Sequence, residues 1–362
     1  MNKIPSLKPA LFGILNSNRD FSQKESWSKN NFNSSFPASL IAYMDSKNIP
    51  CVYLKLNENG EVFKDYIQAK ELFKLNPQDE KLYYSFESAY LPYQTLSIGS
   101  PPRVDLMLMN KENANVLAGY EVKLTTIPDE STFKLSEDKY GCELVIRMPS
   151  IHFLACSLAS VYKERPEELK KYFGKNGFGN VGSYTEAAQV NPRLGDIWER
   201  MTALIKDNIV HQKPAIIQPI WKTIGKSSIL SDKCLDVFVW SDLAFTKLFM
   251  SEAVNAPNDS TIAVNRPTRA LIQLFFMLNE VSVKGTFHPN EIFQKLTYTM
   301  KNDKAFSVSG RKTNRFMFCD ELIRPRIGKE ELKNIILGGG QLLLSPERRF
   351  DAAIVGSPGL FT

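Results

Sequence analysis

Residues 101–126, PPRVDLMLMNKENANVLAGYEVKLTT, contain two apolar runs of strand length with charges set inside them. Asp105 lies in the first run, and Glu121 and Lys123 lie in the second. An unpaired charge in apolar surroundings is expensive, so a fold of this chain must supply these three side chains with partners. In a strand, residues i and i+2 share a face. Glu121 and Lys123 therefore face one way, and Tyr120, Val122 and Leu124 the other. On the first run Val104, Leu106 and Leu108 form the apolar face, opposite Asp105. A hairpin turning near Asn113 sets Asp105 directly across from Glu121. Cβ atoms of such cross-strand partners lie about 4.5–5.5 Å apart.

Two carboxylates at that spacing repel, and one of them holds its proton more tightly. A divalent cation removes the conflict, and carboxylate oxygens are what Mg²⁺ prefers. Lys123 adds a positive charge on the same face. Together these groups can hold a water and a phosphate oxygen, the equipment for hydrolysing a phosphodiester. Taken alone, the Glu-x-Lys pattern is weak, because it is common on strands and a charged strand face is usually just solvated. The aspartate in register on the preceding strand is what adds weight.

The rest of the chain bounds the setting. Its 362 residues suffice for one large domain or two ordinary ones, and 43% hydrophobic with 23% charged residues is ordinary for a globular chain that buries a core. A net charge of +6 permits a polyanionic partner without demanding one. The five cysteines are odd in number, widely spaced and free of any CxxC pair. A disulfide framework or zinc site is not expected, and reduced thiols in a cytoplasm fit better. No run reaches the roughly 18 apolar residues of a membrane helix, and the first residues lack the pattern of a signal peptide.

Residues 16–35 read as an ordered, irregular arm, since Phe21, Trp27 and Phe32 would be wasted on a disordered tail. Periodicity predicts a helix from Pro37 to about 48, a strand at CVYLKL, and helices over about 63–75 and 80–91. The two charged strands follow, over 103–109 and 116–125, around the turn NKENAN. CELVIRM at 142–148 reads as a third strand, and Pro149 suits the first turn of the next helix. The second half reads as mostly helical, over 184–207, 241–254 and 266–281, with strand-like runs at 236–240 and 315–318. The expected fold class is α/β. A boundary near 210 would divide a core with its N-terminal arm, 1–210, from a mainly helical C-terminal region, 211–362. A single domain is the alternative.

The arrangement resembles the PD-(D/E)xK nuclease superfamily, in which an Asp begins one strand and (D/E)xK follows on the next. Here the Pro-Asp pair is loosened to Pro102-Arg103-Val104-Asp105, and the PD at Pro128-Asp129 is a decoy because it follows the Glu-x-Lys. The likeness extends further. LFGILNSNRDFSQKESWSKNNFNSSFPASLIAYM (11–44) and GYEVKLTTIPDESTFKLSEDKYGCELVIR (119–147) resemble the HindVP family of type II restriction endonucleases. This covers the N-terminal half well and the C-terminal half less distinctly. It implies a mixed central sheet flanked by helices, with a largely helical C-terminal extension shaping the DNA cleft. It also implies Mg²⁺-dependent cleavage of double-stranded DNA at GRCGYC. Carried over, Asp105 and Glu121 would be metal ligands and Lys123 the catalytic lysine. Similar nucleases often add a carboxylate from a helix before the first catalytic strand. Glu87 in YYSFESAYLPY is the candidate here, although it would serve equally as a solvated helix residue.

A DNA enzyme also needs cations for phosphates and guanine edges. Arg311, Lys312 and Arg315 in SGRKTNR, Arg266 and Arg269 in NRPTRA, and Arg19 in the N-terminal arm are the candidates, although such clusters are often plain surface. A palindromic site invites a two-fold reader, hence a homodimer. A cognate DNA methyltransferase would act on the same site. Two other readings stay open: a structure-directed nuclease of repair or recombination, and an inert DNA-binding module. GFGNVG at 177–182 follows a helical segment rather than a strand, so it is not a dinucleotide loop. His152 and Cys156, in an apolar helical run, read as core.

Overall fold

A computed structural model describes residues 45, 48, 50–73, 82–110, 112–113, 115–122, 125–127, 148–173, 191–222, 233–255, 266–295 and 327–328. Strand β1, Cys51–Leu56, turns back into β2, Val62–Ile67. The turn is fixed by Asn57, whose side-chain oxygen accepts from the backbone N–H groups of Asn59 and Glu61, and by Gly60 at φ 76°. A short helix α1 (Ala69–Phe73) follows. Three antiparallel strands come next: β3 (Leu82–Ala89), β4 (Arg103–Asn110) and β5 (Val116–Val122). The short strand β6 is Thr125–Ile127.

A helical crossover then covers one face of the sheet. It holds α2 (Met148–Ala159), α3 (Lys170–Phe173) and α4 (Leu194–Asn208). Strands β7 (Pro214–Lys222) and β8 (Lys233–Ser241) return to the sheet, and helices α5 (Asp242–Asn255), α6 (Arg266–Lys284) and α7 (Pro289–Lys295) follow. A two-residue strand β9, Ile327–Gly328, pairs with β8.

The strands make one mixed sheet in the order β2-β1-β8-β7-β5-β4-β3, with β6 extending the pairing on β7. β7 runs parallel to β5 and β6 and antiparallel to β8, and β8 runs parallel to β1. A parallel neighbour requires a long crossover, which the α2–α4 segment supplies. Strands from both sides of residue 210 therefore pair within one sheet.

Helix α2 lies at the centre of the packing, with every residue from Ser150 to Ala159 buried. It packs against α5, α6 and β4. Asp242 ties these layers together. Its Oδ1 accepts from the backbone N–H groups of Lys213 (2.9 Å) and Leu243 (2.8 Å), and its Oδ2 from the Ser157 hydroxyl (2.8 Å). Burial nonetheless raises the Asp242 pKa.

Two helical expectations are corrected. The segment 80–91 is not helical: Leu82–Ala89 is strand β3, paired along its length with β4. LYYSF is rich in residues that suit a pleated surface, and cross-strand pairing outweighs the local helix tolerance of Ser, Glu and Ala. The segment 63–75 begins as strand β2 and becomes helical only at Ala69. Met148, expected at the end of a strand, opens α2. The expected helix at 37–48, the loop at 177–182, the run 142–147 and the strand-like run at 315–318 lie outside the described residues, save Asp45 (helical) and Asn48 (in a turn).

Candidate active site

Strands β4 and β5 form the hairpin that the charged runs imply. Leu106 pairs with Tyr120, Met107 with Gly119 and Leu108 with Ala118. Continued by one residue, that register sets Asp105 across from Glu121. The ladder slips between Leu108 and Met109, a bulge next to the turn. Asp105 is half-buried and Glu121 is 6% exposed. Asp105 Oδ2 accepts the backbone N–H of Val122 at 2.8 Å, so the carboxylate occupies the place of a ladder partner and is fixed at the end of β5. On the other face Tyr120 is buried, and its hydroxyl donates to the Leu72 carbonyl at 3.1 Å, anchoring β5 to α1.

Strand β3 extends the same row. Phe86 pairs with Leu106 and Ser88 with Val104, so position 87 stands abreast of Asp105. Positions 87, 105 and 121 thus stand abreast on three adjacent strands, and Glu87 belongs to a strand where a helix was expected.

Glu121 also meets α2. The Ser150 hydroxyl donates to Glu121 Oε1 at 3.4 Å, and both residues are buried. Sequence reasoning missed Ser150. Its one signal is its place just after Pro149, in the first turn of a helix.

The approach to β4 is fastened separately. Ile98 N–H donates to the Phe287 carbonyl at 2.8 Å, and Phe287 N–H to the Leu96 carbonyl at 3.0 Å. His152 Nε2 and Ser97 Oγ share a buried hydrogen bond of 2.9 Å. Desolvation lowers the His152 pKa to about 4, so the ring is neutral near pH 7. Cys156 is likewise core, and burial raises its thiol pKa.

Lys123, Arg19, Arg311, Lys312 and Arg315 lie outside the described residues. Arg266 is the first residue of α6. Arg269, one turn further, is 6% exposed and so enclosed by protein. No three His, Cys, Asp or Glu residues form a metal-holding group among the described residues. The described donors are the two carboxylates, and an all-oxygen pair in cross-strand register fits a hard cation such as Mg²⁺.

The sequence profile of the HindVP restriction endonucleases matches residues 27–361. The chain belongs to that family. Two relatives cover nearly its whole length. Type II restriction enzyme HgiDI from Herpetosiphon aurantiacus is 39% identical, over 98% of this chain and 97% of its own. A probable type II restriction enzyme, HindVP, from Haemophilus influenzae is 42% identical, over 98% of this chain and 96% of its own. No solved structure matches. No helix among the described residues is long and apolar enough to cross a membrane.

Proposed function

We propose that this chain is a type II restriction endonuclease that hydrolyses double-stranded DNA with Mg²⁺, through a PD-(D/E)xK site. The observation that carries the reading is the β4–β5 register, which continued one residue past Leu106–Tyr120 sets Asp105 across from Glu121, in a member of a restriction endonuclease family. Asp105 and Glu121 would hold the cation, and Glu87, abreast of Asp105 on β3, is the candidate for a third ligand. A bound Mg²⁺ supplies positive charge at the scissile phosphate and acidifies a coordinated water. The Val122 N–H holds Asp105 in a fixed orientation, so its carboxylate needs little rearrangement to serve as a ligand. Lys123, two residues beyond Glu121, orients the attacking water and steadies charge on the phosphate.

The finer parts of the reading rest on the family. They are recognition of GRCGYC, a homodimer with one strand cut per subunit, a methyltransferase protecting the same site, and action in the cytoplasm. Phosphate and base contacts come from Arg19, Arg266, Arg311, Lys312 and Arg315, whereas the enclosed Arg269 is not among them. The largely helical C-terminal region after residue 210 shapes the cleft.

The test is incubation with unmethylated phage DNA, with and without Mg²⁺. Discrete fragments bounded by GRCGYC are expected only with metal. A random smear or junction-specific cutting would point to a repair nuclease, and intact DNA to an inert binder. Asp105→Asn and Glu121→Gln should each lose several kcal/mol of transition-state stabilisation, on the order of 10³-fold in rate. Gel-shift binding of DNA should persist in both. Full activity in either variant rejects the site.

A further inference from the structure

We infer that Ser150 is a positioning residue for the metal site, holding the Glu121 carboxylate from the start of α2. The inference rests on the nuclease reading above and deepens it. A glutamate reaches its target through three rotatable bonds, so a strand alone does not fix its carboxylate. Asp105 meets this problem with the Val122 N–H. Glu121 receives the Ser150 hydroxyl on Oε1.

Three observations support the role. Ser150 is 2% exposed and Glu121 6%, so little water competes for the contact. Ser150 also rides on a rigid element: α2 is buried from Ser150 to Ala159, and its far end is tied to Asp242 by the Ser157 hydroxyl. Finally, Ser150 is in the first turn of a twelve-residue helix, the end whose unpaired N–H groups and dipole favour a carboxylate. At 3.4 Å the contact is longer than the usual hydroxyl bond. Its contribution is therefore orientation more than strength. Groups that orient metal ligands typically change metal affinity by about 10–100-fold when removed.

The experiment uses the full-length protein as wild type, Ser150→Ala and Ser150→Thr. Mn²⁺ binding is read by calorimetry, and the Mg²⁺ concentration for half-maximal cleavage by plasmid digestion. Ser150→Ala should weaken Mn²⁺ binding and raise the Mg²⁺ midpoint by about 10-fold. Its cleavage at saturating Mg²⁺ and its thermal midpoint should stay near wild type. Ser150→Thr, which keeps the hydroxyl, should return metal affinity toward wild type. Unchanged Mn²⁺ affinity in Ser150→Ala overturns the inference. So does a loss that accompanies a large drop in thermal midpoint, because the role is then structural. Wild-type protein that binds Mn²⁺ through Glu121 yet cuts no DNA defeats the nuclease reading and leaves the positioning role standing.

Discussion

Asp242 shows what one enclosed carboxylate asks of its neighbours. It is 2% exposed and accepts three donors, two of them backbone N–H groups on the same oxygen. An asparagine can reproduce that pattern. Its Oδ1 takes the Lys213 and Leu243 N–H groups, and its amide donates to Ser157, whose hydroxyl can accept as well as donate. Asp242→Asn should therefore be neutral or stabilising, whereas Asp242→Ala strands buried donors and should cost about 2–4 kcal/mol. The pH dependence separates them further. Because burial raises the folded pKa of Asp242, its contribution is greatest when protonated and is lost as pH rises through that raised value. Urea unfolding at pH 4 and pH 7 should show the Asn variant gaining on wild type toward pH 7. A constant difference would contradict the argument.

At the scale of elements, the β4–β5 hairpin was legible because everything that specifies it is local. Apolar alternation sets the faces and NKENAN the turn, but Met109 pairs with Val116 beside the turn, half a residue off a centre at Asn113, and the bulge between Leu108 and Met109 restores the register that sets Asp105 across from Glu121. Strand β3 was not legible. Leu82, Tyr84 and Phe86 do alternate, but Ser85, Glu87 and Ser88 suit a helix equally, and only pairing with β4 decides. By sequence, Arg269 in NRPTRA is a candidate cation for phosphates or guanine edges. The helix that starts at Arg266 carries it into the interior, which a short polar stretch does not reveal. The contact from Ser150 to Glu121 spans 29 positions and leaves no mark on either local pattern. Gly119 offers a test of β5. A Cβ there would come within 2.5 Å of the Tyr90 ring, which is itself packed edge-on against Tyr93 and Phe153. Gly119→Ala should lose about 1–3 kcal/mol by chemical denaturation. It should also slow cleavage, since Glu121 lies two residues on. Adding Tyr90→Leu should restore part of both, a non-additivity expected of direct neighbours.

The whole molecule combines groups with opposing responses to acid. His152, held neutral with a pKa of about 4, resists a proton that the unfolded chain accepts near pH 6.5. Folding stability should fall as pH drops from about 6.5 to 4, by up to about 3 kcal/mol from this residue. Asp242 acts in the other direction. Unfolding free energies measured across that window should lose the acid-side slope in His152→Gln, and a slope unchanged from wild type would rule His152 out as its source. The sheet also implies an order of assembly. The candidate acids lie on the meander of β3, β4 and β5, where each strand meets its successor in sequence. The backing comes later in the chain: the start of α2, 29 positions from Glu121, and then β7, which pairs with β5 only after the helical crossover has closed. Short-range ribbons zip quickly and distant pairings slowly. A newly synthesised chain would thus carry its acidic row before it could brace it, and competence to damage a genome would be the last property the molecule acquires.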